Sequence, residues 1–433
     1  VTVYAGGLVF QQVFGIKELW GIDFFWIAAI GLVVLTALYT IFGGMKSVLY
    51  TSVLQTPILL LGSLIILVLG FKELGGWDEM MRVCGAVTVN NYGDTMTNLI
   101  RSNDDANFPW LGALIGSAII GFWYWCTDQF IVQRVLSGKN EMEARRGTIF
   151  GAYLKLLPVF LFLIPGMIAF ALHQKYIGAG GEGFLPMLAN GTANADAAFP
   201  TLVAKLLPAG VKGLVVCGIL AALMSSLASL FNSSAMLFTI DFYKRFRPET
   251  PEKKLVGIGQ VATVVIVILG ILWIPIMRSV GDVLYTYLQD VQSVLAPGIA
   301  AAFLLGICWK RTSAQGGMWG LIAGMVIGLT RLGAKVYYSN AGEVADSTFK
   351  YLFYDMNWLF FCGWMFLFCI IVVIVVSLAT KAPTAEKIQG LVFGTATKEQ
   401  KAATRASWNH WDIIHTVIIP VSYTHLTLPT NSL

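Results

Sequence analysis

Charge is what this chain of 433 residues has least of: Asp, Glu, Lys and Arg together make up 12% of it, about half the share that covers the surface of a soluble globular domain. That scarcity excludes a soluble enzyme. It also excludes a disordered segment, which needs low hydrophobicity and high charge. With 29 basic against 24 acidic residues there is no basic field large enough to make a nucleic-acid binder. Six cysteines are too few for a disulfide framework. Cys84 falls in a polar stretch read as loop, whereas Cys126, Cys217, Cys308, Cys362 and Cys369 fall in apolar stretches and read as small buried residues. The four histidines, His173, His410, His415 and His425, lie away from the middle of any apolar run, which argues against a metal cluster or a histidine proton relay. What the chain does have is 57% hydrophobic residues, 44 glycines and 13 tryptophans, with a mean hydropathy of +0.72. This composition implies an all-α polytopic membrane protein.

Apolar runs cover residues 4–14, 24–42, 48–71, 110–132, 148–172, 213–240, 256–277, 283–308, 316–336 and 358–378, and another begins at Trp411. The complete runs are close to the ~20 residues that cross ~30 Å of hydrocarbon. Backbone groups in lipid must be paired internally, so the runs are expected to be helices. Alternate loops, starting with the one at Lys46, carry 17 Lys and Arg against 11 on the other side, with Lys155 inside a span. The richer side is therefore read as cytoplasmic, and topology accounts for the net charge of +5 without a nucleic-acid partner. Both ends look cut. The first residue, Val1, already lies in an apolar segment, and Val421–Leu433 opens with Val-Ser-Tyr-Thr-His-Leu, a string that resembles the translation of a transposon mosaic-end adapter used in sequencing libraries. The expectation is that 421–433 is not native sequence.

Four groups of residues break the apolar runs. Lys155 sits in Tyr153-Leu-Lys-Leu-Leu-Pro, about seven residues or ~10 Å into its run. A charge inside a span costs about 3 kcal/mol on insertion scales and is generally functional; the alternative is a lysine snorkelling to the headgroups. Trp123-Tyr-Trp-Cys-Thr-Asp-Gln puts three aromatics before an acid and an amide. Tyr124 is ~21 Å below the outer end of its run, too deep for an interfacial belt, and a ring plus a hydroxyl suits a sugar. Ala222, Ser225 and Ser226 stand at i, i+3 and i+4 and share one helix face. Two hydroxyls and a carbonyl are hard oxygen donors of the kind Na⁺ takes. On spacing alone, however, Ala221, Ser225, Ser229 and Ser233 read first as a small-residue packing stripe. Gln289 in Tyr285-Thr-Tyr-Leu-Gln-Asp precedes Pro297-Gly298 and marks either an interrupted binding segment or a wet outer mouth. Tyr124, Lys155 and Ser225 fall at ~21, ~20 and ~18 Å from outside, and Gln289 at ~9 Å. Polar groups from separate helices at related depths are what a secondary transporter needs.

Several blocks in order carry a resemblance: Ala37-Leu-Tyr-Thr-Ile-Phe-Gly-Gly, Tyr50-Thr-Ser-Val-Leu-Gln-Thr, Trp123-Tyr-Trp-Cys-Thr-Asp-Gln with Val132-Gln-Arg, Tyr153-Leu-Lys-Leu-Leu-Pro, Leu223-Met-Ser-Ser-Leu, Phe231-Asn-Ser and Phe303-Leu-Leu-Gly-Ile-Cys-Trp-Lys-Arg. Over roughly residues 1–419 the chain resembles the solute:sodium symporters, most closely the sodium/glucose cotransporter branch. The resemblance implies an inverted five-helix-repeat (LeuT-like) transporter core without its N-terminal helices. Residues 1–71 would be the end of the third core helix with the fourth and fifth, and 72–109 an extracellular loop. Residues 110–308 would be the second repeat, core helices six to ten. Residues 309–381 would be peripheral helices, 382–410 a cytoplasmic loop and 411–420 the start of a last helix.

It further implies that Tyr124, with Trp125 beside it, covers the sugar on the cytoplasmic side, that Lys155 and Gln289 hydrogen-bond sugar hydroxyls, and that the Ala222 carbonyl and the Ser225 and Ser226 hydroxyls hold Na⁺, which reverses the packing preference for the serines. Three positions depart from the family pattern. Ser52 stands where an aspartate is common and Ala228 where a threonine goes with a second Na⁺, so one Na⁺ per substrate is expected. Gly121 stands where some members touch the sugar with a polar side chain. The implied activity is Na⁺-coupled uptake of a glucose- or galactose-like sugar by alternating access at the cell membrane, with no enzyme chemistry, organic cofactor or obligatory protein partner. The alternatives are a Na⁺ symporter for inositol, a sugar acid or another polyol, a non-transporting nutrient sensor on the same scaffold, and a channel.

Overall fold

The computed structural model describes the backbone of residues 2–188, 191–280, 284–340 and 345–427, and the side chains of all of these except 39, 42–48, 276–280, 284–287, 339–340 and 421–427. The principal helices are α1 (Thr2–Phe14), α2 (Phe24–Leu74), α3 (Trp77–Gly85), α4 (Trp110–Cys126), α5 (Gln129–Leu136), α6 (Glu141–Leu154), α7 (Ile164–Gly178), α8 (Ala198–Leu206), α9 (Ala209–Met236), α10 (Glu252–Val280), α11 (Leu284–Cys308), α12 (Ala314–Asn340), α13 (Trp358–Ala379) and α14 (His410–Thr427). Among the described residues seven helices are long and apolar enough to cross a membrane, and eight if the bent pair α4–α5 counts as one span. The apolar runs 24–42 and 48–71 lie on one continuous helix, α2. Its 51 residues exceed twice the length needed to cross ~30 Å of hydrocarbon. The run at Trp411 extends through Pro420 to Thr427; of the tail read as non-native, 428–433 lie outside the described residues, as do the side chains of 421–427.

The chain divides into two compact units, one of Val1–Val87, Thr95–Thr97 and Leu154–Leu284, the other of Thr88–Asp94, Asn98–Tyr153 and Tyr285–Leu433. In the first, α1 leads through a hairpin, Glu18–Leu19 with Ile22–Asp23, into α2. Trp20 and Gly21 both have positive φ there, the type I′ arrangement that suits a two-residue hairpin. Asp23 ends the hairpin by accepting from the Phe25 amide at 3.0 Å and from Gln11 Nε2 at 2.9 Å, which caps α2. The two long helices α2 and α9 pack closely. A Cβ built on Gly62 would stand 2.5 Å from Val215 Cγ2, and one on Gly218 would stand 2.9 Å from Ile58 Cγ2. Lipid supplies no hydrophobic force between helices, so small residues that admit close approach do this work.

The second unit is built the same way. In α4, Gly116 meets the backbone of Leu359 on α13. Gly298 of α11 meets Gly324 of α12, and Gly328 of α12 meets Val294 of α11. The pairs 298/324 and 294/328 step by four residues in opposite directions, the signature of an antiparallel pair in fixed register.

Two readings of the sequence are corrected. Cys84 is not in a loop but fully buried on the amphipathic helix α3, within the core around Ile168 and Leu172. Cys362 and Cys369 are buried, but Cys126, Cys217 and Cys308 are exposed on the protein surface. An apolar run in a membrane protein places a residue in the hydrocarbon layer, which does not place it inside the bundle.

Outside the spans, the Asp94 carboxylate accepts from the Ser102 amide at 2.8 Å, from Asn90 Nδ2 at 2.7 Å and from Asn98 Nδ2 at 3.2 Å. These donors, the Ser102 amide foremost, hold its carboxyl at about 2, below the ordinary 3.8. A depressed carboxylate stabilises the folded loop at every pH above its unfolded value and loses that contribution as pH falls through the folded one. The turn from Asn90 to Ser102 is therefore expected to stay closed from neutrality to about pH 4 and to open toward pH 2. Pepsin cleavage of this loop, scanned between these values, checks it, and Asp94→Asn should be cut readily throughout.

Candidate ion and substrate site

The break between α4 and α5 falls on the aromatic segment's polar end. Thr127 Oγ1 donates to the Trp123 carbonyl at 2.7 Å, and the Thr127 and Asp128 amides also turn back to it. Asp128 then caps the next helix by accepting from the Phe130 amide at 3.0 Å. One side chain closes α4 and the next opens α5, and the two helices meet at 47°. Just before the break, Trp123, Tyr124 and Trp125 form a chain of ring contacts. Tyr124 lies 6.2 Å from Trp123 and 5.2 Å from Trp125, the latter edge-on at 89°. Tyr124 is half-buried and Trp125 is 51% exposed.

Lys155 lies on a turn that interrupts α6 before Pro158. The proline ring removes an amide and crowds the carbonyl four residues back, at Leu154. A π-helical stretch, Val159–Leu163, follows, a form that favours functional sites. The sequence placed Lys155 about seven residues into its helix; the helix instead begins at Glu141, and the lysine marks its break.

On α9, Ala222, Ser225 and Ser226 share a face, and the helix runs without a break through them. Ser225 is 6% exposed, and its hydroxyl lies 2.6 Å from that of Ser52 on α2. Ser229 and Ser233 are buried too, so the packing stripe and the proposed oxygen set occupy adjoining parts of one helix. Carbonyl and hydroxyl oxygens alone fit a hard monovalent cation, with Ser52 adding an oxygen beside Ser225. Among the described residues no three His, Cys, Asp or Glu side chains form a metal-binding group.

Gln289 is half-buried on α11. Its neighbour Asp290 is ion-paired across to α12, with Lys335 Nζ at 2.5 Å and Arg331 Nη2 at 3.6 Å. The sequence reading missed this cluster and counted Arg331 and Lys335 among the outer loop charges, although both lie in α12 and Arg331 is 1% exposed. The signal was there: two cations four residues apart inside an apolar run. The Ser52–Ser225 pair, 173 residues apart in the chain, left no such local signal. Tyr124, Trp125 and Gln289 belong to one unit, and Lys155, Ala222, Ser225 and Ser226 to the other.

Residues 1–324 match the model of the sodium:solute symporter family. The chain belongs to the sodium:solute symporter family. Its relatives include the human sodium/myo-inositol cotransporter 2, 35% identical over 406 residues that are 91% of this chain and 59% of that protein. The Bos taurus sodium/mannose cotransporter SLC5A10 is 36% identical over 411 residues, 92% of this chain and 68% of that one. The Ovis aries sodium/glucose cotransporter 1 is 38% identical over 377 residues, 83% and 57% of the two chains. The chain thus spans about three fifths of the inositol relative's length. Among solved structures, a Na⁺-coupled sialic acid symporter in a substrate-bound outward-open state superimposes with a TM-score of 0.64 at 20% identity, over 88% of this chain and 73% of that one. The sodium:solute symporter chain therefore has the inverted-repeat, LeuT-like fold, and it is a multi-pass protein of the plasma membrane from a family of transporters rather than enzymes.

Proposed function

We infer that the full-length protein is a symporter that couples inward Na⁺ flow to uptake of a neutral sugar or cyclic polyol by alternating access. The observation that carries this reading is the oxygen cluster on α9, Ala222, Ser225 and Ser226 with Ser52 alongside, in a chain of the sodium:solute symporter family. One Na⁺ binds there and favours the outward-open state. Tyr124 and Trp125 offer a ring face and a hydroxyl to the substrate, and Lys155 and Gln289 hydrogen-bond its hydroxyls. A potential of 100 mV contributes about 2.3 kcal/mol per charge moved, and the Na⁺ concentration gradient adds to it.

The relatives are named for inositol, mannose and glucose, all polyhydroxylated six-membered rings without charge. That common chemistry supports the substrate class. Among its members myo-inositol stands beside glucose as a second reading, because relatives named for inositol match 91% of this chain. The test is uptake of radiolabelled glucose and myo-inositol by the full-length protein in vesicles, with and without an inward Na⁺ gradient. Uptake indifferent to Na⁺ would refute the proposal. Within the same assay, Lys155→Ala removes a charged donor whose hydrogen bond is worth about 1.5–3 kcal/mol. The substrate concentration at half-maximal uptake should rise about tenfold or more.

A further inference from the structure

We propose that Asp290 is a positioning residue for substrate binding: held by Lys335 and Arg331, it locks α11 to α12 and so fixes the place of Gln289. The inference rests on the reading of Gln289 as a substrate ligand. Three observations carry it. First, Asp290 is bridged by both cations, Lys335 at 2.5 Å and Arg331 at 3.6 Å, which stand one helical turn apart on α12. Second, Arg331 is itself immobilised. Its Nη2 donates to the Met356 carbonyl at 2.8 Å and its guanidinium lies 4.0 Å over the Phe361 ring, a cation–π contact. Third, the ion pairs continue a series of close contacts. Going along α11, residues 290, 294 and 298 meet 331 and 335, then 328, then 324 on α12. The last two contacts are backbone against glycine and set the spacing; the charged one sets the register at the end next to Gln289.

The cluster is costly to maintain. The buried Arg331 Nε and Nη1 and Asp290 Oδ1 have no hydrogen-bond partner, and charges within a span are retained where they serve function or register. Packing alone would have been served by apolar residues of the same size. On an α-helix Gln289 lies about 100° round from Asp290, so pinning one carboxylate leaves the amide side chain on an adjoining face at a defined height. Ser293 reinforces that stretch, donating to the Asp290 carbonyl at 2.6 Å ahead of Pro297, which interrupts the ladder within the same helix.

The test uses the full-length protein, radiolabelled glucose and myo-inositol, and rates normalised to the transporter at the membrane surface. Asp290→Asn should raise the half-saturating substrate concentration about tenfold and leave the maximal rate per transporter unchanged, while Asp290→Glu restores the parent value. The double variant Asp290→Asn with Lys335→Gln keeps the net charge of the cluster and should show the same split, which serves if the single variant fails to reach the membrane. In a Gln289→Ala background, Asp290→Asn should add nothing, because the positioned group is gone. An equal effect of Asp290→Asn with and without Gln289, or a fall in maximal rate alone, overturns the inference. A Gln289→Ala variant with parent half-saturation removes the reading on which it rests, and the inference with it.

Discussion

Ser226→Ala in the full-length protein is expected to raise the Na⁺ concentration needed for half-maximal uptake about tenfold or more, with little change in the amount of folded protein. The argument is one of chemistry against shape. The substitution removes a single oxygen from a half-buried position on α9, one turn beyond Ala222, and leaves the helix intact, since alanine is the better helix former. An interaction between a neutral oxygen and a full charge is worth about 1.5–3 kcal/mol, and each 1.4 kcal/mol is a factor of ten. Ser225→Ala makes a less clean experiment. Its hydroxyl lies against that of Ser52, so its loss also removes a hydrogen bond between α9 and α2, worth about 0.5–1.5 kcal/mol of stability in its own right. The two variants therefore separate ion binding from helix packing: Ser226→Ala moves the Na⁺ titration, and Ser225→Ala moves the Na⁺ titration and lowers the melting temperature. A Ser226→Ala protein with an unchanged Na⁺ titration would take the ion away from α9.

Much of the fold was readable because each span is a long apolar run bounded by charge, and because the breaks that matter are written in local chemistry. Thr127 and Asp128 follow three aromatics and end the helix where the polar pair begins; Pro158 follows Lys155 and breaks the helix there. What stayed hidden is which side of each helix faces inward. A span in lipid is apolar all round, so the periodic pattern that orients a soluble amphipathic helix is weak. Cys126, Cys217 and Cys308 were read as buried for this reason and are exposed. Small residues carry the orienting information instead, as with Gly62 against Val215 and Gly116 against Leu359, but a glycine in the sequence does not say which helix it meets. The same limit hid Ser52, whose partner is 173 residues away. Arg331 and Lys335 were hidden for a different reason. Near the end of a span a cation reads as a loop charge that sets orientation, and only the presence of Asp290 on the facing helix shows that these two point inward.

If small residues orient these helices, then Gly116→Leu should be among the most destabilising single changes in the second unit. A Cβ at this position would stand 2.8 Å from the Leu359 carbonyl oxygen, 2.9 Å from its Cδ2 and 3.0 Å from its Cα. Two of these atoms are backbone, so no rotamer change relieves the clash, and α4 must move away from α13. Overpacking of this sort costs about 1–3 kcal/mol when side chains alone have to give way, and more is expected where a helix must shift. The displacement would also loosen Cys362, whose thiol points at the Gly116 carbonyl at 3.8 Å, and would carry Tyr124, ~12 Å further along the same helix, out of place. Gly306→Leu on α11 is the control: the same side chain enters an equally apolar helix, but a Cβ there meets nothing within 4 Å, and leaving glycine gains about 1 kcal/mol of helix propensity. The melting temperature of the purified full-length protein should fall for Gly116→Leu and hold or rise for Gly306→Leu. Equal behaviour of the two would mean that α4 does not pack backbone to backbone on α13, and the placement of the aromatic segment would lose its support.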